Sequence, residues 1–246
     1  MNLFFQSGKY FLFLKRVIAK PDRKRVFIDR FFDEAVLLGL NSMGIVALLS
    51  IFMGAVICLQ TASNIDSPFI PSYTVGFTTR QSIILEFSPT IISLILAGKI
   101  GSNIASEIGS MRVTEQIDAL EIMGVNSANY LVFPKILAFM FVHPFLILFS
   151  MALGIMGGAA VVVGTGIITP VDFLEGVQLD FEVFTIAYAL IKTVIFAFVV
   201  TSISGFYGYY VQGGALEVGK GSTKAVVASS ILILLLNYLI TQLLLI

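Results

Sequence analysis

Five apolar runs separated by polar islands set the pattern of this sequence, at roughly residues 39–59, 82–99, 133–163, 184–210 and 225–246. Each is long enough to cross a bilayer core as an α-helix, which takes about 20 mostly apolar residues. The third is long for one crossing and too short for two. With Pro134 near its start and His143-Pro144 inside, it reads as one tilted or kinked helix. Its Gly154, Gly157 and Gly158 predict close contact with another helix. Ahead of the first run, residues 3–20 are apolar but broken by Gln6, Lys9, Arg16 and Lys20 near one side. That spacing predicts an amphipathic helix lying in the membrane interface, its basic residues toward lipid phosphates, ended by Pro21. Residues 22–34 read as a mixed-charge connector. The expected fold is an all-α integral membrane protein: an N-terminal interfacial helix, five transmembrane helices and one short helix between the second and third spans. Residues 1–34 form the helix and connector, and residues 35–246 the five-span domain.

The polar island at residues 97–124 organises the rest. Ala97, Gly101, Ala105 and Gly109 recur every fourth position and form a smooth stripe on a helix continuing the second span. Thr114 is placed to cap a short helix, with Glu115 and Gln116 in its favourable first turn. Gly124 is placed to close it in the left-handed conformation. The expected helix, residues 114–123, is about 14 Å long. Ile117, Leu120 and Met123 share one side of it, and Glu115 and Asp118 lie on another. Such a helix suits a groove on a soluble partner; the plainer reading is a capped loop that only joins two spans. Three further segments read as loops. Residues 60–81, with Pro68, Pro71, Phe69, Ile70 and Tyr73, can dip into the membrane surface. Residues 164–182 are acidic, and residues 211–224 are Gly-rich.

Composition narrows the class. Hydrophobic residues make up 57 % and charged residues 12 %, against about 25 % charged in soluble domains, which excludes an ordinary soluble enzyme or nucleic-acid binder. Cys58 is the single cysteine, so no intramolecular disulfide forms. The N-terminal segment lacks the pattern of a cleavable signal peptide. Lys and Arg cluster before the first span, in the island and in the Gly-rich loop, which assigns those regions and the N-terminus to the cytoplasm. Five crossings then leave the C-terminus outside. No phosphate-binding G-x-x-x-x-G-K-[ST] loop, catalytic triad or metal-ligand cluster is present, and His143, the only histidine, reads as structural. Two ionisable residues fall within spans, Glu86 before Pro89 and Lys192 in the fourth run. Intramembrane charges normally face a partner or a wet cavity. Lys192 either snorkels outward or pairs with Glu86 or a lipid phosphate.

The run GSNIASEIGSMRVTEQIDALEIMGV closely resembles the signature of MlaE-type permeases, membrane subunits of ABC transporters that work with MCE proteins. The likeness extends to GxxxxLQ at Gly54–Gln60, ExxP at Glu86–Pro89, IKTVxFA at Ile191–Ala197 and TKAVV before the last span. The resemblance implies a homodimer, a cytoplasmic ABC ATPase and a periplasmic, membrane-anchored MCE protein. It leaves open a small regulatory subunit on the ATPase. The implied cargo is a phospholipid or related lipid, moved between the inner and outer membranes of a Gram-negative envelope. The chain would sit in the inner membrane and bind no cofactor, ATP and Mg belonging to the ATPase. The segment at about residues 100–128 would couple to that ATPase through Glu107, Arg112, Thr114, Glu115, Gln116, Asp118, Leu120 and Glu121. Ile57, Leu59, Gln60, Ile65, Phe69, Ile70 and Tyr73 are candidates for an acyl-chain pocket, with Glu86, Lys192 and Asn237 as polar lipid-site candidates. In the family Glu86's position follows an arginine and Asn237's is often acidic; here Leu85 precedes Glu86. The competing class is a self-contained secondary transporter or channel for a hydrophobic solute. That class favours internal repeats, and none is visible.

Overall fold

The computed structural model describes residues 3–19, 24–65 and 70–245, and every regular element among them is helical. Pro21, Pro68 and Phe69 lie outside the described residues. Helix α1 (Leu3–Val17) buries one narrow face. Phe13 and Val17 are fully buried, and the Tyr10 and Phe13 rings meet Phe206 edge-on at 5.5 and 5.7 Å. Phe5, Phe11 and Leu12 stay open, as do Lys15 and Arg16. An open apolar side beside basic residues suits a helix lying in an interface.

Helix α2 (Lys24–Asn64) starts where the sequence suggested a connector. Its charged first turns pack against a later helix: Arg30 lies 3.8 Å over the Tyr130 ring, Phe27 meets Phe133 at 5.3 Å and Glu34 pairs with Lys135 at 2.5 Å. Tertiary contacts hold as helix what composition alone marks as linker. At 41 residues α2 is about 60 Å long, so part of it must project beyond a bilayer core of about 30 Å.

Helix α3 (Tyr73–Val113) is also 41 residues long and begins inside the expected outer loop. It widens into π-helical turns at Ile83–Ile91 and Ala97–Gly101. Pro89 lies in the first of these. Lacking an N–H, it donates to no carbonyl of the preceding turn. The stripe of Ala97, Gly101, Ala105 and Gly109 is buried throughout. A Cβ on Gly101 would lie 2.9 Å from Ser204 Oγ, and one on Gly208 would lie 2.7 Å from the Ala105 carbonyl oxygen. The expected packing stripe is therefore real, and the fourth span fills it at Gly101 and Ala105 while Val211 and Val218 cover Gly109.

The short helix α4 (Gln116–Ile122) is seven residues long, not ten, and Thr114 does not cap it. Thr114 ends α3, where its hydroxyl donates to the Ser110 carbonyl at 2.9 Å. Glu115 occupies the cap position with φ 60°, in the left-handed region. A chain turning sharply between two abutting helices places the cap one residue later than the pattern suggests. Gly124 closes α4 as expected, with φ 77°. Its N–H donates to the Glu121 carbonyl at 2.9 Å, and that of Val125 to the Leu120 carbonyl at 3.0 Å, a Schellman closure.

Helix α5 (Ser127–Thr165) is one helix despite Pro134 and Pro144. Its glycines make the expected close crossing with α2: Cβ atoms on Gly54 and Gly157 would overlap the carbonyls of Gly154 and Ile51. The acidic loop contains a further helix, α6 (Pro170–Gln178). Thr169 caps it, accepting from the Asp172 N–H at 3.1 Å, and Pro170 opens it. This is a legible N-terminal signal that overall polarity concealed. Helix α6 lies across the start of α3, where Gly76 and Gly176 leave the backbones room to touch. Helix α7 (Val183–Tyr209) runs through the core. Helix α8 (Ala215–Leu245) begins ten residues before the expected span, so most of the Gly-rich loop is helix. Gly221 packs there against Val211 and Gly109 against Val218. The glycine at Gly221 serves close approach, and the turn shrinks to residues 210–214.

Candidate functional site

Three helices build a polar knot between the apolar runs. Lys192 of α7 is wholly buried and donates to Glu86 Oε1 of α3 at 2.9 Å. It also donates to the Tyr188 hydroxyl at 2.8 Å, and to Thr241 Oγ1 and the Leu85 carbonyl at 3.3 Å each. On the carboxylate's other side, Asn237 Nδ2 of α8 donates to Glu86 Oε2 at 2.9 Å and the Thr90 hydroxyl lies 3.1 Å away. The lysine therefore pairs inward and does not snorkel. The Glu86 side chain is 42 % exposed while Lys192 is 0 %, so the knot opens on its acidic side.

Glu86, Lys192 and Asn237 thus converge as a set. Tyr188, Thr90 and Thr241 were not singled out from the sequence as site residues, yet each stands four positions from a member on the same helix: Glu86 and Thr90, Tyr188 and Lys192, Asn237 and Thr241. Residues at that spacing share a helix face, and this is the signal that could have found them. Arg80 takes no part. It is buried beside α6 and donates to the carbonyls of Val177 and Leu179 at 2.9 and 2.7 Å.

The other lipid-site candidates lie at the end of the bundle near α6. Ile57 is buried in packing, Leu59 and Tyr73 are half-buried, and Gln60 and Ile70 are exposed. Ile65 packs against a small separate core of Cys58, Val75, Val162 and Phe173. Phe69 falls outside the described residues. Among the described residues, no hydrogen bond joins this group to Glu86. His143 is buried between helices, its Nδ1 3.0 Å from the Thr193 carbonyl and its Nε2 3.2 Å from Ser93 Oγ.

At the opposite end of α3, helix α4 is tied down on one side and open on the other. Arg112 pairs with Asp118 at 2.6 Å, and Gln116 donates to Thr114 Oγ1 at 3.0 Å. Glu121 accepts from Tyr209 at 2.8 Å and from Ser127 at 3.0 Å, and Arg16 of α1 lies 3.5 Å away. The Tyr209 hydrogen bond, supported by Ser127 and by the Arg16 and Arg112 charges, holds the Glu121 carboxyl below its ordinary range. Asn126 and Asn129 bind the last carbonyls of the α1 segment, the former at Arg16 and the latter at Val17 and Ala19. Glu107 points elsewhere, to the buried Lys135 at 2.9 Å, which also holds Glu34. Ile117 is fully buried and Leu120 partly so. Met123 does not share their burial: with Ile122 it forms an exposed apolar tip, 68 % and 87 % exposed. Ile122 was missed because an apolar residue beside the buried side reads as more core.

The sequence profile of the family described as "Permease MlaE" matches residues 31–243. The chain belongs to this permease family. A relative from Rickettsia bellii (strain RML369-C), a "Probable ABC transporter permease protein", is 36 % identical over 96 % of the chain and 91 % of its own length. One from Synechocystis sp., of the same description, is 30 % identical over 98 % of the chain and 88 % of its own length. The "Intermembrane phospholipid transport system permease protein MlaE" of Haemophilus influenzae is 29 % identical over 94 % of the chain and 88 % of its own length. The permease is a non-catalytic, multi-pass membrane subunit of an ABC transporter.

Proposed function

We propose that this permease moves a phospholipid or related lipid between the inner and outer membranes of a Gram-negative envelope. The observation that carries this reading is the Glu86–Lys192 pair, set among apolar helices with its carboxylate 42 % exposed. An ionised group held open at such a depth is costly unless a headgroup, wet cavity or partner faces it. A second copy of the chain would complete the enclosure around Glu86, with Ile57, Leu59, Gln60, Ile65, Phe69, Ile70 and Tyr73 toward the acyl chains. The name of the Haemophilus relative points to the same cargo.

In this reading α4 is a coupling helix, and the Ile122–Met123 tip enters a cleft on a cytoplasmic ABC ATPase. Glu115, Gln116 and Asp118 would flank that contact, while Arg112, Leu120 and Glu121 would hold the helix from behind and Glu107 would act only through Lys135 on α5. ATP chemistry resides in the ATPase. A membrane-anchored MCE protein receives or delivers lipid at the periplasmic end. The N-terminus, α4 and the α7–α8 turn face the cytoplasm, in accord with the Lys and Arg bias, and the C-terminus faces the periplasm.

Transfer of a fluorescent phospholipid between permease–ATPase proteoliposomes and the MCE protein tests the reading. Transfer should require ATP and fall at least tenfold in Glu86→Ala. Equal transfer by the permease without any ATPase would overturn it in favour of a self-contained transporter. Ile122→Asp and Glu115→Lys should each weaken ATPase co-purification while membrane insertion is retained. Undiminished co-purification would remove α4 from the contact.

A further inference from the structure

A cavity of about 660 Å³ opens at the α4 end of the bundle, between α1 and the turn that joins α7 to α8. That volume lies within the range of about 300–1,000 Å³ common for small-molecule sites. Phe206, Tyr207 and Tyr210 contribute an aromatic wall. Two lysines distant in sequence line it, Lys9 from α1 and Lys224 from α8, together with the amide side chains of Gln6 and Gln212. The Lys9 ammonium lies 3.6 Å over the Tyr210 ring. Among the described residues neither lysine forms a salt bridge. The acid on the wall, Glu217, is paired with Lys220 at 2.6 Å and also feels the Lys224 charge, so one carboxylate stands against Lys9, Lys220 and Lys224 and the site keeps a positive balance.

The cavity is continuous with an apolar surface. Phe5 lines its edge and belongs to the open side of α1 with Phe11 and Leu12. Ammonium groups and amide donors suit a phosphate ester, and tyrosine rings suit the level where headgroup meets acyl chain. A purely aqueous anion would gain nothing from the apolar margin. Helix α1 also grips the α4 segment through Arg16 and Asn126, so an occupant would steady the helix that braces α4.

We propose that this cavity binds the phosphate-bearing headgroup of an anionic phospholipid that stays with the chain, at a site separate from Glu86 and Lys192. Its acyl chains run along the Phe5–Leu12 side of α1, and its phosphate sits between Lys9 and Lys224.

Native mass spectrometry of the full-length permease, released from nanodiscs containing either phosphatidylglycerol or phosphatidylcholine, tests this. The wild type should retain phosphatidylglycerol in preference to phosphatidylcholine. Removing both charges in Lys9→Ala/Lys224→Ala should weaken that retention roughly thirtyfold, from about fivefold per basic residue near the surface. Lys9→Arg/Lys224→Arg should restore it. Gln212→Glu, an exposed change in the turn that leaves the helices intact, should weaken phosphatidylglycerol alone. Equal retention by wild type and Gln212→Glu, or by wild type and the double alanine variant, would overturn the proposal. Displacement of phosphatidylglycerol by millimolar inorganic phosphate would overturn the lipid assignment in favour of a free-phosphate site.

Discussion

Lys192 Nζ and Glu86 Oε1 stand 2.9 Å apart across α7 and α3, and the lysine is wholly buried while the glutamate opens outward. Removing one partner of a buried pair leaves a charge without its counter-ion and costs about 3–5 kcal/mol. Glu86→Gln should approach the lower figure, because Tyr188, Thr241 and the Leu85 carbonyl still hold the ammonium. Lys192→Met/Glu86→Gln should be less destabilised than the two single changes added together. Thermal unfolding in nanodiscs measures the cycle, and strict additivity would mean that the two groups do not stabilise one another.

The crossing of α2 with α5 leaves no room for a methyl group. Gly54→Ala should lower stability by about 1–3 kcal/mol through overpacking, because its Cβ would overlap the Gly154 carbonyl. Gly98→Ala, on a helix with no atom within 4 Å of the added carbon, should be neutral or raise stability by up to about 1 kcal/mol. Paired melting curves test both; similar melting temperatures for the two variants would contradict the close crossing.

Two polar residues flanking α4 play unequal parts in the structure. Asn126 caps α5 through the Asn129 N–H at 3.3 Å and also holds the Arg16 carbonyl at 2.9 Å. Asn126→Ala should cost about 1–2 kcal/mol and loosen α1, seen as faster amide exchange in residues 10–17. Thr114→Ala removes only two exposed bonds, to the Ser110 carbonyl and from the Gln116 amide, and should change stability by less than about 0.5 kcal/mol.

Glu121 gives the α4 end a defined pH response. Its carboxyl is held below the ordinary range, chiefly by the Tyr209 hydroxyl. A depressed carboxyl pKa contributes stability that is fully present above the unfolded value and is lost as pH falls through the lower folded value. The stability advantage of wild type over Glu121→Gln should therefore be constant near neutrality and vanish on acidification below the carboxylate range. The side chain is 39 % exposed, so screening should keep the effect below about 1 kcal/mol. An advantage that grew with acidification would reverse the assigned sign.

The spans were legible because their apolar runs are long, and the small-residue stripe because its four-residue spacing has one geometric meaning. Helix ends were not. Arg30 and Glu34 look like linker until α5 supplies Tyr130 and Lys135, and Gly221 looks like loop until Val211 packs against it. In each case the deciding partner lies far along the chain. The polar knot was half legible: Glu86 and Lys192 stood out as misplaced charges, whereas Tyr188, Thr90 and Thr241 are unremarkable until the four-residue spacing is read around each of the polar residues. The cap on α4 went to Glu115 because a tight reversal needs one left-handed residue, a demand that Thr114's favourable chemistry did not reveal.

The continuity of α3 carries a mechanical corollary. Glu86 and the turn into α4 belong to one rod and are separated by on the order of 40 Å at the usual rise per residue. No loop between them provides slack. A displacement applied at Val113 must tilt the rod, slide it along its axis or rewind one of its two wide turns, and the first of those turns is the one that carries Glu86.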